Sequence, residues 1–251
     1  MKNYSLDSIE KVFNFATQFV PHNHMVFRGV INSEYELIPS VGRLPELESL
    51  DEELDREKAL LKQFKMKSSL RVQCLPSNDW EWLSLAQHYG LPTRLLDWSV
   101  NPLVALYFAT AHSPEELYGS SVLSNCAVYG LISHIHIDSS YHTNPFALTE
   151  TLEFYGPSIS ERVVNQTGLF TVHHKPRNAF DTSELHKFVI PGELKSQIQI
   201  KLSLLGINES TIYPGLDGIA KSLKTDFYNQ TTRPLDLKKA PGYMKSQLNG
   251  L

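Results

Sequence analysis

An arginine set between an aromatic residue and a glycine, Phe27-Arg28-Gly29, is the first feature of this sequence that could do chemistry. Met25 to Val30 has strand composition, and a guanidinium inside a strand must be paired or face a hollow, because a lone buried charge is very costly. Two roles are open to Arg28. Guanidinium is a rigid bidentate donor suited to phosphate and other anions, and Gly29 would let a ligand approach the backbone closely. The alternative is a structural ion pair with Asp97 or with a glutamate.

A second reactive segment runs Gln87-His88-Tyr89-Gly90-Leu91-Pro92-Thr93-Arg94-Leu95-Leu96-Asp97-Trp98 and leads into Asn101-Pro102. Gln87, His88 and Tyr89 end a helix directly before a Gly-x-Pro turn, so their side chains project from an element terminus. Arg94 and Asp97 lie three apart in an extended piece, which sends them to opposite faces. Asn101 could offer its amide to a ligand, although capping the next helix explains it equally well. Trp98 is either a stacking surface or core. A third segment holds Tyr155-Gly156-Pro157, Arg162, and Gln166-Thr167-Gly168-Leu169-Phe170-Thr171-Val172-His173. Tyr213-Pro214-Gly215-Leu216-Asp217-Gly218 closes the set.

Other chemistries find less support. Ten histidines include His22 with His24, His134 with His136 and His173 with His174, but no pair has a carboxylate at metal-motif spacing. No metal site is expected. P-loop, GxGxxG, GxSxG and HExxH patterns do not occur. The formal charge is −4, and the longest basic cluster singled out is Lys238-Lys239, so a nucleic-acid partner is not expected. Cys74 and Cys126 cannot build a disulfide framework. With no apolar run near membrane-spanning length and no signal-peptide pattern at Met1, the expectation is a cytoplasmic protein.

The elements that must position these residues follow from periodicity and punctuation. Leu6 to Val20 is expected as an amphipathic helix with Ser5 as its cap, and Leu47 to Ser69 as a long one with a Leu50, Leu54, Leu61, Phe64 stripe. Asn78 or Asp79 opens a helix ending at His88, and Asn101-Pro102 opens a densely apolar one. Cys126 to Ser133, Gly168 to His173 and Leu185 to Pro191 have strand composition. Glu193 to Leu205 is read as a helix, and Ser210 to Leu223 as a turn and short helix. The fold class is α+β: a helical N-terminal half packed on a mixed or antiparallel sheet contributed mainly by the C-terminal half. With 41% hydrophobic and 20% charged residues and no linker composition, one domain is expected over 1–251, its polar tail starting at 229.

Phe27-Arg28-Gly29, the QHYGLPTRLLDW stretch, Ala105-Leu106-Tyr107-Phe108-Ala109 and the Gln166 to His173 segment together resemble the FRG-domain family, named for its Phe/Tyr-Arg-Gly motif. The resemblance covers roughly 22–225 and implies a bacterial or phage setting of toxins and defence. A more distant similarity is to ADP-ribosyltransferases, from Phe27-Arg28-Gly29, Thr93 to Ser99 and Ala105 to Ala109 in that order. It implies an ADP-ribosyltransferase-like fold with NAD as substrate, Arg28 holding the pyrophosphate or the nicotinamide amide, and Tyr89 or Trp98 stacking on the base. Catalytic candidates are Arg28, His88, Arg94 and Asp97; ligand-binding candidates are Phe27, Gly29, Gln87, Tyr89, Thr93, Trp98, Asn101 and Gln166. The acids Glu153, Glu161, Glu184, Glu209 and Asp217 do not fall in the Glu-x-Glu pattern of that chemistry. Three functions are therefore weighed: an NAD-consuming transferase or glycohydrolase acting on a protein target or water, a domain that binds a nucleotide or partner without turnover, and a nucleic-acid-processing enzyme.

Overall fold

A computed structural model of the chain describes residues 1–18, 25–72, 74–111, 123–133, 144–155, 169–213 and 215–232. Three capped helix starts follow directly from sequence chemistry. Ser49 accepts from the Glu52 amide at 3.2 Å to open α2 (Leu50–Ser68). Asn78 does the same for Glu81 at 3.0 Å to open α3 (Asp79–His88). Asn101 accepts from the Leu103 amide at 2.9 Å, with Pro102 as first residue of α4 (Pro102–Ala109). At the N-terminus the expectation is corrected. Lys2–Ser5 is a strand, β1, and the helix α1 (Ile9–Gln18) starts later, its Lys11 amide reaching the Ser8 hydroxyl at 3.3 Å. Leu50 does not belong to the buried stripe of α2: it is exposed, and Glu57 is buried on that helix with Leu61.

The remaining strands are β2 (Met25–Val30), β3 (Leu95–Trp98), β4 (Cys126–Ile132), β5 (Leu152–Phe154), β6 (Leu169–Val172) and β7 (Leu185–Ile190), followed by helix α5 (Lys195–Leu204). Among the described residues they form an α+β fold with one four-stranded sheet, β1-β7-β4-β2, and one three-stranded sheet, β3-β6-β5. The first is mixed, because β1 runs parallel to β7 while the other pairs are antiparallel; the second is wholly antiparallel. Residues up to Asn208 make one compact unit. A second begins at Glu209, with α6 (Glu209–Ile212) and α7 (Leu216–Thr232), which carries helix four residues into the stretch expected as tail.

The two sheets meet edge to edge at one place. Phe27 on β2 and Ser99, just after β3, exchange backbone hydrogen bonds of 2.7 and 2.8 Å, and no further ladder joins the two strands. Strand alternation on β3 divides its side chains between two cores. Leu95 packs with Leu61, Trp80, Leu83 and Phe170, under α2 and α3; Leu96 and Trp98 pack with Val26, Tyr129 and Leu169, between the sheets. Helix α4, apolar on nearly all sides, lies against β2, and Gly29 makes that possible. A Cβ there would fall 2.0 Å from the Ala105 carbonyl oxygen and 2.5 Å from the Ala109 nitrogen. The missing side chain thus admits a helix backbone, and Gly29 also lines a hollow beside Arg28.

Candidate functional site

Beside the Phe27–Ser99 bridge, the edges of the two sheets bring Arg28 and Asp97 together. The Arg28 Nη1 donates to the Asp97 backbone carbonyl and to its carboxylate Oδ1, both at 2.8 Å. The same Oδ1 accepts from the Gln87 side-chain nitrogen at 3.1 Å. Gln87 in turn accepts from the Thr93 hydroxyl at 2.6 Å, and that hydroxyl oxygen receives the Leu95 amide at 3.2 Å. The direction is set from the carboxylate end: ionised Asp97 only accepts, so Gln87 turns its nitrogen to it and its oxygen to Thr93, whose hydroxyl must then donate. Four of the sequence candidates therefore form one network. Partial burial would raise the Asp97 carboxyl; the charge and hydrogen bond of Arg28, with Gln87 assisting, outweigh that and hold it below the usual range.

The pair is incomplete in a way that matters. Arg28 is not sealed in a strand interior, since its side chain is 20% exposed, against 44% for Asp97. Its Nε is buried and has no hydrogen-bond partner among the described residues. Asp97 receives both side-chain bonds on Oδ1, so Oδ2 keeps its acceptor capacity. These groups line an open hollow of about 320 Å³ together with Ser99, Tyr35, Arg43 and Phe108. The wall that carries Tyr35 is tied down from behind. Fully buried Lys195 donates to the Ile31 carbonyl at 2.9 Å, and Lys187 to that of Ser33 at 2.6 Å.

Other candidates lie elsewhere. Arg94 is buried against Glu57 in a forked ion pair, Nη2 to Oε2 at 2.6 Å and Nε to both oxygens at 3.1 Å, with Phe146 below the guanidinium. It points away from Asp97, as the spacing predicts, and does not line the hollow. Trp98 is core rather than a stacking platform. Tyr89 is exposed past the end of α3, with half-buried His88 edge-on to it at 5.2 Å, and neither lines the hollow. Asn101 uses its amide oxygen to cap α4. Phe27 does line the hollow, as does Gly29; the Phe27 side chain is buried and its backbone forms the bridge. Gln166 lies outside the described residues, as do His22, His24, His134, His136 and Glu161. Of the remaining acids, Glu153 accepts from the Ser133 hydroxyl. Among the described residues no cluster of His, Cys, Asp or Glu could hold a metal ion, and no helix is long and apolar enough to cross a membrane. The sequence reading passed over Arg43, Tyr35, Ser99 and Phe108. The Pro39-Ser40-Val41-Gly42-Arg43 turn was the available signal for Arg43, a cation placed just after a rigid bend.

Behind the hollow, Trp98 donates from its indole nitrogen to the Thr171 hydroxyl at 3.0 Å, and Thr171 lies 2.9 Å from the His173 Nε2. Indole is a donor only, so the Thr171 oxygen accepts from it, and the hydroxyl keeps its own proton and a second lone pair for His173 Nε2 in either tautomer. Burial first, then the charges of Arg28, His174 and Arg94, push His173 down from its ordinary value to about 3. A histidine whose folded value is depressed binds its proton only in the unfolded chain between pH 6.5 and 3, so stability falls as pH drops through that window. On the order of 2 kcal/mol should be lost from this residue between pH 7 and 5. Urea unfolding of wild type and His173→Gln at both values measures it; an equal acid loss in the two proteins would mean His173 is not the group responsible.

The family model of the FRG domain matches residues 23–116, which takes in β2, α2, α3, β3 and α4 and with them Arg28, Gln87 and Asp97. No curated protein and no solved structure matches the chain.

Proposed function

We propose, on the premise that residues 23–116 match the FRG-domain family, that the hollow at the β2–β3 seam binds NAD and cleaves its nicotinamide–ribose bond. The observation that carries this reading is the placing of Arg28: its guanidinium is fixed by Asp97 through Nη1, stays partly exposed, and lines an open hollow. A guanidinium held in this way is a suitable donor for a phosphate oxygen. Tyr35 and Phe108 line the same hollow and could supply ring surface to a base.

Chemistry would fall to Asp97. As the C1′–N1 bond of the nicotinamide ribose breaks, the electron pair leaves with neutral nicotinamide and positive charge develops on the ribose. The free Oδ2 of an ionised carboxylate stabilises that charge or fixes a ribose hydroxyl beside it. Water or a protein side chain then forms the new bond at C1′ and gives up its proton, yielding ADP-ribose or an ADP-ribosylated target. Such an activity would suit a toxin or phage-defence effector, the setting that the family resemblance implies.

One observation favours a second reading, a nucleotide-binding domain without turnover. Oδ1 of Asp97 already answers Arg28 and Gln87, so the carboxylate could serve only to hold the guanidinium in place. Incubating the purified chain with NAD and measuring released nicotinamide separates the two. Release by wild type, abolished in Arg28→Ala with the melting temperature within a few degrees, is the expected result. Binding of NAD without release would transfer the case to the second reading, and a protein that neither binds nor cleaves it would end both.

A further inference from the structure

Arg43 is an exposed arginine on a backbone that the fold holds with unusual care. It closes the 3-10 turn Ser40–Arg43. The start of the turn is fastened to the residue before Arg94: the Ser40 hydroxyl receives the Thr93 amide at 3.0 Å, and the Val41 amide donates to the Thr93 carbonyl at 3.1 Å. The carbonyls on both sides of Arg43, those of Gly42 and Leu44, accept from the Arg177 Nη1 at 3.2 and 3.0 Å. Arg177 is itself gripped by the Glu53 carboxylate of α2, through Nε at 2.7 Å to both oxygens. Gly42 sits so close to the Pro176 carbonyl that a Cβ would lie 1.9 Å from its oxygen. With its backbone immobilised in this way, the Arg43 side chain makes no hydrogen bond or ion pair among the described residues, and it lines the same hollow as Arg28.

Two guanidinium groups therefore face one hollow whose single acid, Asp97, is already paired with the first of them. We propose that Arg43 is a second anion anchor, and that the hollow selects ligands bearing a diphosphate over those bearing a single phosphate. Arg28 takes one phosphoryl group and Arg43 takes the next, since both line the hollow. This inference rests on the nucleotide reading above and adds to it the charge spacing that the ligand must have. Pre-fixing the backbone matters because an arginine loses side-chain freedom on binding, and a rigid mount limits the loss to the side chain alone.

Calorimetric titration of the full chain with ADP, AMP and NAD tests it, using wild type, Arg43→Ala, Arg43→Lys and Arg28→Ala. Wild type should bind ADP and NAD about tenfold or more tighter than AMP, the effect of one further charge-assisted hydrogen-bonded contact. Arg43→Ala should lose that preference and leave AMP affinity within about twofold, Arg43→Lys should restore part of it, and Arg28→Ala should weaken all three ligands. Since Arg43 is exposed and unpaired, its variants should melt with wild type. Equal affinity of wild type for ADP and AMP, or an undiminished preference in Arg43→Ala, overturns this inference even if Arg28→Ala confirms the site. Failure of wild type to bind any of the three overturns the nucleotide reading, and the inference with it.

Discussion

Arg94→Ala should destabilise the protein by about 3–5 kcal/mol, the range found when one member of a buried ion pair is removed. Both side chains are almost wholly enclosed, with 4% of Arg94 and 3% of Glu57 exposed. Deleting the guanidinium leaves a carboxylate inside the protein with, among the described residues, the Arg94 backbone amide at 3.2 Å as its donor. It also removes the cation above Phe146 and the contact to the Pro145 carbonyl. For a protein of this size that loss lowers the melting temperature by roughly 10 °C. The double substitution Glu57→Leu with Arg94→Met should recover much of it, because apolar groups of similar volume often replace a buried pair without penalty. Thermal melts of the three proteins decide the matter. A single variant as stable as wild type would show that Glu57 does not depend on Arg94, and would return that guanidinium to the list of groups available to a ligand.

Under the proposed NAD-cleaving function, Asp97→Asn should leave NAD binding intact or tighter while lowering nicotinamide release by about 10²–10³-fold, the scale of losing one electrostatic contact to a transition state. Asparagine keeps a carbonyl oxygen for the Gln87 and Arg28 donors, so the network from Thr93 to Arg28 survives. The substitution removes the negative charge that now offsets Arg28, which should favour an anionic ligand. It also removes the charge that would face the developing cation on the ribose. Turnover and affinity consequently move in opposite directions, an outcome that simple misfolding cannot produce. Release that continues at the wild-type rate would exclude Asp97 from the chemistry.

Local chemistry was legible in the sequence. Asn78 and Asn101-Pro102 announce helix starts because capping and proline stereochemistry act within a few residues, whereas the expected start at Leu47 falls three residues ahead of the helix that Ser49 caps. The central strands β4, β6 and β7 are apolar enough to be read directly. By contrast β1 is the exposed edge Lys-Asn-Tyr-Ser, and it becomes a strand only by pairing with β7, far along the chain. The partner of Arg94 was equally hidden, since Glu57 stands 37 residues upstream in a helix segment of alternating charges that reads as solvated surface. The candidate site divides along the same line. Arg28, Gln87, Thr93 and Asp97 lie in segments whose unusual residue types mark them, and the Arg28–Asp97 pair was one of the two roles left open. Arg43 and Tyr35 are ordinary residues of a loop, brought to the hollow by the Arg177–Glu53 clamp and by the lysines behind Ile31 and Ser33.

Among the described residues one pair of amide-to-carbonyl contacts, between Phe27 and Ser99, stitches the backbones of the two sheets, which also share a core. Arg28 is the neighbour of one stitch point and Asp97 stands two residues before the other. Any shift of one layer against the other would therefore change the reach between these two charges together with the packing of Leu96 and Trp98 on Val26 and Tyr129.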